Sequence, residues 1–156
     1  MNSANTCLCS ELDELPVIGM GDPDRLDERV FATLHLAKKH GAAVWWLAAY
    51  ECSACWQPWM VAQDERIHDN YCLKKLDRLT MQEIVENDDW PQGFITFEKV
   101  LRAERASGQI AKFLDTQCLS LVQTARELRE RRPDISLDEI AHLLVLSVED
   151  VNLLLD

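Results

Sequence analysis

Glycine and proline are scarce, with five of each among 156 residues. The glycines are scattered, so no glycine-rich loop stands ready to cradle a phosphate, and nothing else points to a nucleotide or redox cofactor. Basic residues are also few: 16 Lys and Arg face 27 Asp and Glu, giving a net charge of −11 and a pI near 4.7. That field repels phosphate backbones, which disfavours nucleic-acid binding and suits a cationic protein partner, or plain solubility. Long apolar runs are missing, the longest being the strand-sized Ala42 to Tyr50. The opening "MNSANTCLCSELDELP" has neither the basic nor the apolar region of a secretory signal. The expectation is a cytoplasmic protein.

What is present suffices for a folded chain. An apolar fraction of 47% can fill the core of one ordinary domain or two small ones. In a reducing compartment the six cysteines are metal ligands or buried thiols rather than a disulfide framework.

The pattern along the chain is α+β and mainly helical. Asp22-Pro23 reads as an N-cap and first helical residue; Leu26, Val30, Leu34 and Ala37 then share one face, and Gly41 closes a helix of about 18 residues. "AAVWWLAAYEC", "WQPWMVAQ" and "NYCLKKL" read as strands of a small antiparallel, zinc-ribbon-like sheet, whose first hairpin is turned by Cys52 and Cys55. Pro58 hints at an edge or an irregular start. Thr80 with Glu83 forms a capping box ahead of another helix, and Trp90-Pro91-Gln92-Gly93 is a breaker. Thr96 starts a helix that Gly108 can split, and Cys118, Leu121, Val122, Ala125 and Leu128 stripe the next, with Glu127 and Arg131 an i,i+4 pair before Pro133. Ser136 with Glu139, then Ser147 with Asp150, cap two short helices in helix-turn-helix fashion, with Val145 where such turns often carry glycine. This divides the chain into a zinc-ribbon-like α+β region, 1–93, and a helical region, 94–156, which can also pack as one domain.

A Cys-x-x-Cys turn lets two thiolates converge on one cation, and four soft ligands in a tetrahedron satisfy zinc. Cys52 and Cys55 form half such a site, and the Cys-x-Cys pair Cys7 and Cys9 can complete it, stapling the N-terminal segment to the hairpin as a structural zinc clip. Other readings compete. Cys72 and His68 can serve instead; the pair can be a redox dithiol, although Trp56-Gln57-Pro58 does not open a helix; or no metal binds and the thiols are packing, as expected for Cys118. Trp56 stands where a zinc knuckle commonly has glycine. "DERIHDN" gathers Asp64, Glu65, His68 and Asp69, which suit metal-dependent hydrolysis or, more plainly, a polar turn. No His-Glu-x-x-His pattern occurs, and no enzymatic activity is expected.

The helix-turn-helix lacks DNA-binding chemistry: from Pro133 to Asp156 there are six acids and no Lys or Arg, leaving Asn152 as the one plausible base reader. The run "CSACWQPWMVAQDERIHDNYCLKKL" resembles small bacterial proteins in which a Cys-x-x-Cys turn precedes a Trp-x-Val-Ala-Gln-(Asp/Glu)-Glu-Arg-Ile segment. Those proteins are similar to the immunity partners of contact-dependent or polymorphic toxins, and the match covers about 25 of the 156 residues. The resemblance implies a non-enzymatic protein that occludes a cognate toxin, with zinc holding the fold. The charge is compatible with that role, because clustered carboxylates both mimic a phosphate backbone and speed encounter with a basic nuclease. Candidate contact clusters are Glu11, Asp13 and Glu14, then Glu86, Asp88 and Asp89 with Trp90 as an aromatic anchor or a packing residue of its own domain. The alternative is a zinc-containing helix-turn-helix regulator, with Arg129 to Arg132 beside the motif, or a protein-protein adaptor.

Overall fold

In the computed structural model, which describes residues 7–40, 46–91, 96–108, 110 and 115–156, the sheet is larger than the sequence pattern predicts. Five antiparallel strands, β1 (Val17–Gly19), β2 (Leu34–Lys39), β3 (Leu47–Cys52), β4 (Pro58–Asp64) and β5 (Asn70–Lys75), lie in the order β1-β5-β4-β3-β2. The three expected strands form its centre. Pro58 opens β4, which is central rather than an edge: lacking an N–H it donates nothing, and its carbonyl accepts from Leu76 N–H at 3.0 Å. Six helices are described: α1 (Leu26–Phe31), α2 (Arg78–Asn87), α3 (Phe97–Ser107), α4 (Leu119–Arg131), α5 (Leu137–Leu144) and α6 (Val148–Leu154).

The long N-terminal helix is corrected. Asp22 Oδ2 accepts from Asp24 N–H at 2.9 Å and Leu26 N–H at 3.3 Å, a side-chain turn that competes with helix initiation at Pro23. Arg25 then takes the left-handed conformation, with φ 59°, and α1 lasts six residues. Leu34 to Lys39 instead pair with β3, so the supposed helical stripe is divided: Leu34 is buried while Ala37 is exposed. The outer strand β2 carries two lysines and a bulge between Leu36 and Lys38, features that discourage pairing with another chain at a sheet edge. Residues 41–45, including the expected stop at Gly41 and the start of the first strand, lie outside the described residues.

The two sheet faces support cores of unequal size, and strand alternation sorts the residues between them. Met60 and Ala62 of β4, Cys72 of β5, and Leu47 and Ala49 of β3 join the main core, which takes in Ile84 of α2, Val100 and Leu101 of α3, Leu121 of α4, Ile140 of α5 and Val151 of α6. This apolar cluster runs from the sheet through all five later helices. Trp59, Val61, Leu73 and Cys52 point the other way, beside Ile18 of β1 and Leu34 of β2, and Val30 of α1 and Cys9 of the N-terminal loop cover them. That second layer consists of six-residue α1 and loop, a thin cover for so apolar a face.

Helix boundaries follow capping chemistry. Asp77 rather than Thr80 caps α2, its carboxylate accepting from Thr80 N–H at 2.7 Å, so the cap falls three residues before the expected one. Thr96, Ser136 and Ser147 cap α3, α5 and α6 as expected. Gly108 ends α3 with φ 83°, and most of the segment expected to continue as a helix beyond it, residues 109 and 111–114, lies outside the described residues. Glu127 pairs with Arg66 at 3.0 Å, not with the expected Arg131. Between α5 and α6, Val145 adopts φ 57°, a left-handed position that a β-branched residue rarely holds.

Candidate metal centre

Cys52 is the last residue of β3, and the chain turns back at once. Trp56 N–H donates to Cys52 O at 2.9 Å and Cys52 N–H to Gln57 O at 3.0 Å, which closes a loop presenting Cys52 and Cys55 on the same side. Trp56 completes this turn at φ 68°, the conformation for which glycine is the usual choice. Opposite it, a short 3-10 turn at Cys9–Glu11 brings in the first pair. The four sulfurs of Cys7, Cys9, Cys52 and Cys55 lie within 4.8 Å of one another. Ligands about 2.3 Å from a central zinc are about 3.8 Å apart at the corners of a tetrahedron, so the cluster needs only slight contraction to close on an ion. All six cysteines are free thiols.

Outer donors reach two of the four sulfurs. Trp59 donates its indole N–H to Cys9 Sγ at 3.3 Å, and Ala54 donates its backbone N–H to Cys52 Sγ at 3.4 Å. Thr33 Oγ1 lies 3.4 Å from Cys52 Sγ, placed there by the turn between α1 and β2, where Thr33 O accepts from Ser53 N–H at 2.8 Å. Such outer donors orient ligands and offset thiolate charge. Burial pushes the Cys52 thiol up, but the Thr33 hydroxyl and the N–H groups of Cys55 and Ala54 outweigh it and bring the thiol down to about 6. Cys9 is pushed well above the usual thiol range, by burial first and by its cysteine neighbours, with the Trp59 bond pulling the other way. Burial also raises Cys55. Crowded thiols therefore resist ionising together unless a cation compensates them, and a divalent ion reverses that balance.

The competing ligands are elsewhere. Cys72 is fully buried among the main-core residues, and His68 Nε2 is 3.1 Å from Leu143 O. Asp64 of "DERIHDN" is also fully buried, and its carboxylate accepts from the N–H groups of Arg66, Ile67 and His68 at 2.9 to 3.0 Å, closing the β4–β5 turn. Cys118 is half-buried at the N-cap of α4. Sequence reasoning missed Thr33 and Trp59. Trp59 could have been found from alternation along β4, which sends it to the same face as Cys52, whereas Thr33 was hidden inside the mistaken helix.

The acidic clusters are scattered. Glu11, Asp13 and Glu14 are exposed along the segment leaving the cysteine cluster. Glu86 and Asp89 are exposed at the end of α2, while Asp88, also exposed, occupies its left-handed C-cap, accepts from Trp90 Nε1 at 2.8 Å and pairs with Lys38 at 3.4 Å. Trp90 itself is 6% exposed and packs on His40, with ring centres 4.8 Å apart. An anchor for a partner needs an accessible ring, so the packing alternative describes Trp90. Among the described residues the exposed tryptophan is Trp56, at 61%.

No family model matches the chain, and neither the curated proteins nor the solved structures contain a match. Among the described residues no helix is long and apolar enough to cross a membrane.

Proposed function

We propose that Cys7, Cys9, Cys52 and Cys55 hold a structural zinc ion, and that the domain it staples is an acidic inhibitor of a basic toxin, an immunity protein. The convergence of four sulfurs within 4.8 Å carries the metal assignment. Four thiolates select a soft or borderline ion and leave no open position for water, so the ion holds the thin layer of the fold and performs no chemistry. The charge of −11 supports the inhibitory role, since it steers the molecule toward a cationic surface.

The contact region is best placed around the clip. Trp56 projects from the cysteine turn on a backbone conformation that costs energy to hold, and such outliers concentrate where function requires them. Arg78 secures the turn by donating to Trp56 O and pairing with Glu51 at 2.6 Å. Glu11, Asp13 and Glu14 leave the same cysteine cluster, so aromatic contact and acidic charge share one end of the sheet.

Two measurements test the two halves of the reading. Elemental analysis of untagged protein, with thiol counting before and after chelation, is expected to give one zinc per chain and four thiols exposed by its removal; absence of metal from protein grown in zinc sinks the clip. Association with a basic nuclease toxin encoded beside this chain is expected to weaken with salt, and with Trp56→Ala or with Glu11→Lys, Asp13→Lys and Glu14→Lys together. Failure to bind at low salt removes the inhibitor reading and leaves the clip standing.

A further inference from the structure

The cysteine cluster is open to solvent on one side. Cys55 is exposed and Cys7 half-buried, whereas Cys9 and Cys52 are buried. The other two thiols stand apart: Cys72 has zero exposure within the main core, and Cys118, at the N-cap of α4, belongs to no such group among the described residues. A small polar oxidant can therefore reach the cluster at Cys55, and two lone thiols of the same chain serve as internal comparisons.

The β3–β4 turn is already shaped for a cross-link. Trp56 N–H donates to Cys52 O at 2.9 Å, which wraps the residues between them into one turn, and the sulfurs of the cluster lie within 4.8 Å of one another. A disulfide needs sulfurs about 2.05 Å apart and Cα atoms within about 7 Å. Residues three apart in one turn meet the second limit without moving the backbone, so rotation of the two side chains suffices for the first. A bond from Cys7 or Cys9 to the hairpin would keep the cover linked to the sheet. A bond between Cys52 and Cys55 would leave the link to the metal alone.

We propose that the clip is released by peroxide: a hydroperoxide joins Cys52 to Cys55, the zinc leaves, and the N-terminal cover loosens from the sheet. This rests on the zinc half of the proposed function. The Cys55 thiolate attacks one peroxide oxygen; the S–O bond forms, the O–O bond breaks, and the departing hydroxide takes a proton to become water. The Cys52 thiolate then attacks the Cys55 sulfur, forming the S–S bond and expelling the second oxygen, which also leaves as water after protonation. In sum two thiolates, one hydrogen peroxide and two protons give one disulfide and two waters. The sulfurs lose two electrons, the peroxide gains them, and zinc stays divalent.

After that step only Cys7 and Cys9 remain as ligands, half of the tetrahedral set. The cover over Trp59, Val61 and Leu73 is then held by its own packing alone, and the acidic segment of Glu11, Asp13 and Glu14 loses its tether. The main core contains none of the four cysteines, so oxidation acts on one layer and spares the other.

The test adds hydrogen peroxide to the zinc-loaded, untagged full chain and reads released zinc with the chromogenic chelator 4-(2-pyridylazo)resorcinol, with peptide mass mapping of quenched samples. The expected result is one zinc released per peroxide consumed, with a Cys52–Cys55 disulfide and with amide exchange raised in β1, α1 and the β3–β4 turn. Reductant with zinc should reverse all three changes. Release should be at least about tenfold faster than loss of the Cys118 thiol, because metal-bound sulfurs are thiolates whereas a free thiol is only about a few per cent ionised at neutral pH. A loaded chain that keeps its zinc while Cys118 is consumed overturns this inference and leaves the structural clip standing. So does a disulfide from Cys7 or Cys9 to the hairpin, or unchanged exchange after the zinc has left. A chain that takes up no zinc overturns the clip and this inference together.

Discussion

Replacing Glu104 with glutamine should change how stability depends on pH more than it changes stability itself at the acidic end. Glu104 lies on α3 at zero exposure, with Asn70 Nδ2 donating to its Oε2 at 2.7 Å and fully buried Asp64 beside it. Burial pushes the Glu104 carboxyl up, the hydrogen bond and charge of Asp64 add to that, and the Asn70 bond opposes it, leaving the group at about 10. Glu104 is therefore protonated at neutral pH, and its hydroxyl can serve Asp64. In the unfolded chain the same group ionises near 4.5. Between these limits the folded state holds one more proton than the unfolded state, so stability falls by about 1.4 kcal/mol for each pH unit gained. The contribution is complete below the unfolded value and is lost as pH rises through the folded one. Glu104→Gln preserves shape and a donor toward Asp64 while removing the titration. From about pH 6 to about pH 8 the wild-type chain should lose about 2.7 kcal/mol relative to the variant. Urea unfolding of both proteins, zinc-loaded and at fixed ionic strength, measures this; the metal site is common to both and cancels. Parallel stability curves over that interval would refute the reasoning.

Ser136→Ala removes the acceptor for Glu139 N–H, 3.1 Å from Ser136 Oγ, and should destabilise by about 1 kcal/mol in urea unfolding; an unchanged midpoint would mean that water replaces the cap at no cost. Val145→Gly relieves a β-branched residue held at φ 57° and should stabilise by about 1 kcal/mol in the same assay, whereas a loss would show that packing of the valine outweighs its backbone strain. Chelation should raise amide exchange in β1, α1 and the β3–β4 turn while protection in α4, α5 and α6 persists; uniform loss would show that the clip supports both layers.

The legible parts of the sequence were those whose signal is local. Ser136, Ser147 and Thr96 announced three helices because a capping side chain acts within its own turn. Cys52 and Cys55 announced a hairpin because two strands of opposite alternation flank them. What escaped depended on partners distant in sequence. Leu34 to Lys39 carry a plausible helical stripe, and only pairing with Ala48 to Cys52 makes them a strand. Val17 to Gly19 are too few to signal a strand and gain that conformation from Asn70 to Cys72. Trp90 stands next to acids in sequence, which left a partner anchor and a packing residue both open, and only its indole N–H to Asp88 and its ring on His40 decide for packing.

The position of the cysteine cluster follows from the inequality of the two layers. On one face of the sheet five helices enclose a large apolar cluster, and burial of that size needs no cross-link. On the other, Trp59, Val61 and Leu73 are fully or almost fully buried although their cover is a six-residue helix and a loop. A helix that short gains little from its own hydrogen bonds, and ordering the loop costs about 1 to 2 kcal/mol of backbone entropy per residue. Two cysteines from the loop and two from the β3–β4 hairpin would place the bond of a metal clip between the cover and what it covers. Cys9 serves both purposes, contributing its sulfur to the cluster while packing within that second core. A metal held by the four sulfurs would therefore stand where burial alone is weakest, and it would tie the acidic segment containing Glu11, Asp13 and Glu14 to the sheet.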